Sequence, residues 1–395
     1  MTRDARVIVA AQAIRGFAYG FEAVMLAVVF RERGYAPVVA GFLFSAIVAG
    51  MVSTSLLLGR VADRWGRRRC YGALYVALGV SGVVIATTSQ PWVIVAVGLF
   101  GVLSTDVVES GPFSSLEQTM LADQFGEHGR VRGYGVYNAV AAASGSLGAL
   151  ASTIPGHVGR LYGWSANPAP WLLVLVPVGA TGMILSRGLG RGVELRGAAA
   201  RRRLSPDSRS VVRRLASLFA VDSFGGGFVI QSFVAYWLAR RFGATAGALG
   251  AVFFAVGVLQ TASLLVAARV ARRFGLLATM VFTHVPSNVL LAGVAFAPNW
   301  RWAIGLLFAR TSLSQMDVPT RQAYVMALVD EDERTGAAVY TNAARYVTRP
   351  IGPSVAGFVQ GWGVGLPFLV AGTLKFGYDL ALWRSFRRVP VSNDS

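Results

Sequence analysis

The sequence is poor in residues that bind metals or form cross-links. Among its 395 residues are one cysteine, Cys70, and three histidines. A single cysteine excludes an internal disulfide bond and a cysteine-based metal cluster, and His128, His157 and His284 are too scattered for metal-ligand spacing. The sequence also has no phosphate-binding loop and no Ser/His/Asp arrangement. We therefore expect no metal site, no cofactor and no enzymatic activity.

Charged residues are scarce too, and most of them are arginine. They make up 14% of the chain, against about 25% in a typical soluble protein, whereas hydrophobic residues make up 54%. The net charge is nevertheless +18, with Lys375 as the single lysine. Because the arginines cluster between apolar runs, they indicate membrane topology and not a nucleic-acid surface. We expect a lipid bilayer as a partner and no nucleic acid.

Apolar runs recur along the whole chain. A run of about 20 residues is long enough to cross a hydrocarbon core about 30 Å thick. The first run, 7–30, is too long for a cleavable signal peptide and includes Arg15 and Glu22, so we expect it to be retained. The twelve predicted spans are 7–30, 38–59, 70–89, 92–120, 132–154, 169–187, 213–239, 246–268, 275–297, 301–327, 335–360 and 365–386.

The arginines also predict the orientation of these spans. Positively charged loops stay on the cytoplasmic side of a membrane. With twelve spans, most loop arginines fall on the side of both termini, including those of the segments 60–69 and 187–214. The sequence therefore predicts a multi-pass protein of the cell (inner) membrane with cytoplasmic N- and C-termini. We expect it to act as a monomer.

The two halves of the chain resemble each other. Residues 59–66 (GRVADRWG) and 268–275 (ARVARRFG) each follow an apolar run directly, and Asn138 recurs as Asn342 at a matching place. Both copies contain six spans and begin on the same side of the membrane, so they are predicted to be parallel repeats. The predicted domains are an N-terminal six-helix bundle (1–187), a cytoplasmic central loop (188–212) and a C-terminal six-helix bundle (213–395).

The loop after the second span carries a specific motif. Residues 59–68 read GRVADRWGRR, which is the pattern Gly-x-x-x-Asp-Arg-x-Gly-Arg-Arg. With twelve spans, internal termini and a basic central loop, this motif makes the chain resemble the major facilitator superfamily over essentially its whole length. The resemblance implies an all-α membrane protein with 12 transmembrane helices in two pseudo-symmetric six-helix bundles. It also implies alternating access, in which one site for a small-molecule substrate is exposed to each side in turn.

The motif residues suit a conformational latch. In the family fold this loop meets the cytoplasmic end of span 11, which starts near Thr335 and whose free N–H groups carry about half a positive charge. We expect Asp63 to cap that end, the arginines of the motif to pair with the acidic residues 330–333, and the glycines to permit a tight turn. The alternative is that the arginines only set topology. The latch candidates are Gly59, Asp63, Arg64, Gly66, Arg67 and Arg68.

Several carboxylates lie inside predicted spans, where they are costly and usually line a cavity or pair with a base. In many proton-coupled members of the resembled family an acid in span 1 exchanges the proton, and Glu22 resembles that acid. Burial in apolar surroundings favours the protonated form of a carboxylate, as a proton carrier requires. The proton-coupling candidates are Glu22, Asp106 and Asp222, and a permanent ion pair is the alternative for each.

Basic residues inside the spans suggest an anionic substrate. Arg345 and Arg349 lie four residues apart and therefore share one face of span 11, where they would bind an anionic or carbonyl-rich substrate by bidentate hydrogen bonds. The alternative is pairing with Asp106 or Asp317. The substrate-cavity candidates are Arg15, Arg310, Arg345, Arg349, Asn138 and Asn342.

Two pairs of opposite charges occupy equivalent positions in the repeat. Arg15 corresponds to Asp222, and Asp106 corresponds to Arg310. Symmetry predicts that the members of each pair face each other across the bundle interface.

Span 10 contains a polar segment that we interpret as an inner gate. Its candidates are Asp317, Pro319 and Arg321, because the proline kinks the helix and the other two form an i,i+4 ion pair. In span 12, Lys375 and Asp379 are spaced in the same way and are predicted to neutralise each other.

Three functions remain open on the sequence alone. The first is a secondary transporter that exports small organic solutes in exchange for protons. The second is a proton-coupled symporter that takes up an anionic metabolite, and the third is a non-transporting membrane sensor on the same scaffold. Residues 145–148 (GSLG) lack the proline of the family's antiporter signature, which weakens drug/proton antiport in particular.

Overall fold

The structure is a computed structural model that describes residues 2–106, 111–122, 126–163, 167–194, 205–330 and 333–389. Every regular element in these ranges is helical, which confirms the predicted all-α class. Short 3-10 helices span Ala169–Val174 and Arg191–Val193. The α-helices are α1 (Arg3–Glu32), α2 (Pro37–Trp65), α3 (Arg67–Thr87), α4 (Pro91–Leu99), α5 (Pro112–Ala122), α6 (Gly126–Ala151), α7 (Ile154–Tyr162), α8 (Leu175–Arg187), α9 (Pro206–Gly227), α10 (Gln231–Phe242), α11 (Ala246–Phe274), α12 (Leu276–Val294), α13 (Trp300–Ser314), α14 (Asp317–Ala327), α15 (Arg334–Thr348), α16 (Ile351–Gln360) and α17 (Leu366–Phe386).

Seven helical segments of the described chain are long and apolar enough to cross a membrane. They coincide with predicted spans 1, 2, 3, 6, 7, 8 and 9. Their bounds are Arg3–Glu32, Pro37–Gly59, Arg67–Thr87, Ala169–Arg187, Ser208–Phe242, Ala246–Phe274 and Leu276–Val294. Predicted spans 4, 7, 10 and 11 are each divided between two shorter helices.

The divided spans are interrupted between α4 and α5, between α9 and α10, between α13 and α14, and between α15 and α16. Non-helical backbone at membrane depth is tolerated only where protein groups or water satisfy its N–H and C=O groups. Next to α4 this is achieved by side chains and backbone from other helices. The Tyr19 hydroxyl donates to the Val102 carbonyl at 2.9 Å, and the Ser232 N–H donates to the Thr105 carbonyl at 3.0 Å.

The repeated loop motif forms the same turn in both copies. Gly66 separates α2 from α3 with φ +90°, and Gly275 separates α11 from α12 with φ +85°. This left-handed backbone favours glycine, so each turn needs only one residue. The prediction that Gly59 contributes to the turn is wrong, because Gly59 lies inside α2.

By internal contacts the chain divides into two compact units. Unit 1 contains residues 1–197 and 230–257, and unit 2 contains residues 198–229 and 258–395. These units follow three-dimensional contacts, whereas the predicted domains follow the sequence repeat. The six-plus-six division therefore stays a prediction.

Each unit is built on a few closely packed helix pairs. In unit 1, α1 packs against α6 and α3 against α8; in unit 2, α12 packs against α17 and α9 against α15. The apolar core of unit 2 includes Phe219 of α9, Tyr324 of α14 and Tyr378 of α17. Polar side chains of the same helices converge beside this core and form the site described next.

Candidate functional site

Unit 2 contains a polar cavity of about 130 Å³ at the interruption between α13 and α14. The interruption follows from the sequence, because Pro319 is the third residue of α14 and has no N–H to donate to the preceding turn. Its missing N–H falls among the first four of a helix, which have no intrahelical partner in any case. The residues that line the cavity are Asp222, His284, Arg310, Ser314, Gln315, Asp317, Val318, Arg321, Arg345 and Lys375.

Three ion pairs lie among the residues that line this cavity. The Lys375 ammonium contacts the Asp222 carboxylate. The Arg321 guanidinium lies 2.7 Å from the Asp317 carboxylate and 3.5 Å from that of Asp222. The predicted i,i+4 pair of Asp317 with Arg321 is therefore present. The prediction that Lys375 neutralises Asp379 is wrong, because Lys375 reaches across to α9 instead.

Two arginines of the cavity lack such a partner. No carboxylate of the described residues lies within ion-pair distance of Arg310 or Arg345, and the buried Nε of Arg310 makes no hydrogen bond. Both arginines are half-buried, and a guanidinium that is partly shielded from water and lacks an anion favours binding of an anion from outside the protein.

A buried histidine and carboxylate stand at the edge of the same cavity. His284 of α12 places Nδ1 2.8 Å from Oδ1 of Asp379 on α17, and Asn288 donates from Nδ2 to the other oxygen of Asp379 at 2.8 Å. His284 is 4% exposed and Asp379 is 1% exposed. The sequence predicts a pair of Asp379 with Lys375 instead and considers His284 only as a metal ligand.

Unit 1 has its own buried charge cluster around Arg15, and it is walled by aromatic rings. Arg15 lies 2.5 Å from the Glu117 carboxylate and 4.7 Å from the ring centre of Phe113. Tyr71 and Tyr137 donate their hydroxyls to the same carboxylate. Arg15 is 1% exposed and Glu117 is 0% exposed, so this closed pair does not line the cavity of unit 2.

The two clusters are related by the repeat with their charges exchanged. Arg15 corresponds to Asp222, and Glu117 corresponds to Arg321, so each unit contains one ion pair at the same place with opposite polarity. Arg15 and Asp222 each form an ion pair within their own unit, and the prediction that they face each other stays a prediction. The repeat places Glu117 opposite Arg321 in the alignment of the two halves, so the sequence could have identified Glu117. It was not among the predicted site residues.

Glu22 and Asp106, the two predicted proton carriers in the first half of the chain, accept hydrogen bonds from backbone N–H groups. Glu22 is 0% exposed and accepts from the N–H of Ser104 at 3.1 Å, next to the interruption after α4. Asp106 accepts from the N–H of Gln231 at 2.8 Å and thus caps the first residue of α10. Arg310 lines the cavity of unit 2, and the prediction that it faces Asp106 stays a prediction.

The remaining cavity candidates lie elsewhere. Asn138 and Asn342 are exposed and do not line the cavity. Arg349 closes α15 at the interruption of span 11 and is not among the cavity-lining residues. Of the six predicted cavity residues, the structure brings together Arg310 and Arg345.

The latch candidates are only partly described. The side chain of Asp63 lies outside the described residues, so its capping role stays a prediction. Glu194, which sequence reasoning missed, accepts from the backbone N–H groups of Arg67 at 2.8 Å and Arg68 at 3.3 Å and so caps α3. The Arg67 side chain donates to the carbonyls of Thr119 and Val193, both at 3.4 Å. Arg64 is exposed.

Among the residues that the structure describes, no three His, Cys, Asp or Glu side chains are grouped so as to hold a metal ion. The chemistry available in the cavity of unit 2 is therefore charge pairing, hydrogen bonding and proton exchange.

A known protein family matches part of the chain. The family described as Major Facilitator Superfamily matches residues 8–203. An uncharacterized membrane protein of Saccharomyces cerevisiae is 24% identical over 424 residues, which cover 96% of this chain and 93% of the yeast protein.

Solved transporter structures share the fold over nearly the whole chain. The nucleoside transporter NupG superposes with a TM-score of 0.75 at 12% identity, covering 98% of this chain and 100% of NupG. The xylose transporter XylE from E. coli, in an inward-open conformation, gives 0.71 at 13% identity, with 99% and 98% covered. The human organic anion transporter MFSD10 gives 0.65 at 17% identity, with 96% and 99% covered. Identities this low establish the shared fold alone.

Proposed function

We propose that this chain, which belongs to the major facilitator superfamily, is a secondary transporter that works by alternating access. It takes up small organic anions together with protons. The family and the solved structures that share its fold are transporters, and the chain is not an enzyme. The membrane partner is a lipid bilayer, as the seven long apolar helical segments require.

The observation that carries the proposal is the excess of positive charge in the cavity of unit 2. Two carboxylates line it, Asp222 and Asp317, and each is paired with a base. Arg310 and Arg345 are in excess of these pairs. Two guanidinium groups that share a cavity with few competing acids bind a carboxylate, sulfonate or phosphate group by charge-assisted hydrogen bonds.

The size of the cavity supports a small ligand group. A cavity of about 130 Å³ has room for several water molecules. An acidic group with a few attached atoms fills such a space.

Coupling to protons follows from the charge of this ligand. An anion that enters a cell with a negative interior is opposed by about 2.3 kcal/mol per charge for each 100 mV. A proton that enters with a monovalent anion cancels this electrical cost and adds the free energy of the pH gradient. The cavity therefore favours uptake by symport over the export of solutes in exchange for protons.

Transport into proteoliposomes tests the proposal. Under an inwardly directed proton gradient, we expect uptake of methanesulfonate, succinate or glycerol phosphate, and less uptake of uridine, xylose or choline. Arg310→Gln and Arg345→Gln should each reduce anion uptake about tenfold or more, because a charge-assisted hydrogen bond contributes about 1.5–3 kcal/mol. Arg301→Gln is the matched control, since Arg301 lies on the same helix as Arg310 but is exposed.

Uptake of neutral or cationic solutes in preference to every anion would overturn the assignment of an anionic substrate. Normal anion uptake by both cavity variants would separate the activity from this cavity. Binding of anions without any movement across the membrane would favour a sensor.

A further inference from the structure

The pair of His284 and Asp379 is not explained by anion binding alone. Both side chains are buried, and Asp379 does not line the cavity. Asp379 instead holds Nδ1 of His284 and accepts from Asn288, so its two oxygens both serve to fix the histidine. A carboxylate at one ring nitrogen sets the tautomer and leaves Nε2 as the nitrogen that gains or loses a proton.

The position of His284 connects it to the anion site. Its ring forms part of the wall of the cavity that contains Arg310 and Arg345. Helices α9, α13, α14, α15 and α17 all contribute charged or titratable groups around it. These groups are Asp222 from α9, Arg310 from α13, Asp317 and Arg321 from α14, Arg345 from α15, and Lys375, Tyr378 and Asp379 from α17.

We propose that the His284–Asp379 pair is the proton-binding site of this transporter and that its protonation is coupled to anion binding in the same cavity. The proposal rests on the proposed function. In the step, Nε2 takes a proton from water on one side of the membrane, and the imidazolium keeps its Nδ1–H bond to Asp379. The same proton returns to water on the other side, and no other bond changes.

The sign of the coupling follows from charge. The cavity wall has four bases, Arg310, Arg321, Arg345 and Lys375, and two acids, so protonation of His284 adds to an existing excess of positive charge. An anion between these groups stabilises the imidazolium, and the imidazolium stabilises the anion. Because coupling between two binding sites is reciprocal, each ligand raises the affinity for the other. A site that binds proton and anion together produces symport.

The three carboxylates predicted to carry the proton are less suited to it. Asp222 already contacts two bases, Lys375 and Arg321. Glu22 and Asp106 accept hydrogen bonds from backbone N–H groups and do not line the cavity. His284, in contrast, lines the cavity and has a carboxylate, not a base, as its partner.

A direct test observes the protonation of His284 in the full-length protein. The chain has three histidines, so a His128→Gln/His157→Gln variant labelled with ¹⁵N-histidine gives a single imidazole signal by NMR. We follow this signal from about pH 8 to pH 5 and expect a reversible change from the neutral to the protonated imidazole, which Asp379→Asn should weaken because it removes the carboxylate at Nδ1. An imidazole that stays neutral over this range, or protonation that Asp379→Asn leaves unchanged, would overturn the proposal whatever the substrate is.

A second test measures the coupling with methanesulfonate, which keeps one negative charge over the whole range. The wild-type protein should bind it about fivefold or more tightly at pH 5.5 than at pH 8, as followed by ligand-dependent thermal unfolding. His284→Gln should abolish this pH dependence, and the control His157→Gln should retain it, because His157 is exposed. Equal pH dependence in His284→Gln would refute the coupling.

The two proposals can fail separately. If methanesulfonate and the other anions do not bind at either pH while His284 is protonated as expected, the anionic substrate and its coupling to the proton are wrong, and the proton site stands. If anions bind and are transported while His284 stays neutral, the proposed function stands and the proton site is wrong.

Discussion

At the scale of single residues, the pairing of charges depends on which face of a helix each residue occupies. Arg15 and Asp222 occupy the same place in the two repeats, and each binds the partner that the repeat provides, Glu117 and Arg321 respectively. In unit 1 the pair is enclosed by aromatic rings, whereas in unit 2 the equivalent pair opens onto a cavity. The same ionic contact is therefore enclosed by protein in one unit and lines a cavity in the other.

A prediction at this scale concerns the buried pair of Arg15 and Glu117. Glu117→Gln should destabilise the protein by about 3–5 kcal/mol, because it leaves a buried guanidinium without its counter-charge. The double substitution Arg15→Met/Glu117→Met should be less destabilising than Glu117→Gln, since it removes both charges. Thermal or denaturant unfolding of the purified protein measures the stability of both variants. A double variant that is no more stable than Glu117→Gln would contradict the predicted cost of an unpaired Arg15.

At the scale of helices, glycines allow two pairs of helices to approach closely. In unit 1, a side chain added at Gly148 of α6 would overlap the Phe17 carbonyl of α1, and in unit 2 one added at Gly352 of α16 would lie 2.5 Å from Cα of Gly227. Gly148 and Gly352 correspond in the repeat. Small residues at such crossings permit close packing of helices in a membrane.

Gly148→Ala should therefore destabilise unit 1 by about 1–3 kcal/mol through overpacking. The matched control is Gly135→Ala on the same helix, because no atom lies within 4 Å of the added carbon there. The two variants are compared by their thermal unfolding midpoints in detergent. Equal midpoints would show that α1 and α6 do not pack as closely as described.

At the scale of the whole molecule, the units do not follow the order of the chain. Residues 230–257 come after the sequence midpoint but belong to unit 1. They are held there by hydrogen bonds such as Tyr236 to the Tyr35 carbonyl at 2.6 Å and Ser232 to the Ala23 carbonyl at 2.9 Å. Asp106 completes this attachment at the first N–H of α10.

Removal of this cap should loosen the start of α10. Asp106→Ala is expected to increase amide hydrogen exchange at residues 231–234 about fivefold, because a lost N-terminal cap costs about 1 kcal/mol. Asp4→Ala is a suitable control, since Asp4 accepts from the N–H of Gly190 elsewhere in unit 1. Hydrogen exchange with mass spectrometry measures both, and identical exchange in the Asp106 variant and the wild type would refute the capping role.

The sequence by itself determined the class of the protein and the outline of its fold. Long apolar runs, loops rich in arginine and the repeated motif at Gly66 and Gly275 act locally, through lengths and backbone conformations that the residues themselves impose. The same local patterns identified Arg310, Arg345 and the pair of Asp317 with Arg321 as polar positions in apolar segments. His284 also had such a signal, since Asn288 lies one helical turn later in an apolar span.

Only the tertiary structure decided which charges meet. Lys375 and Asp379 lie one turn apart, yet the first contacts Asp222 and the second contacts His284. Such choices depend on the rotation and crossing of helices far apart in the chain, which no local pattern encodes. The interruption after α4 likewise depends on groups from α1 and α10 that satisfy its backbone, because lipid offers no hydrogen bonds.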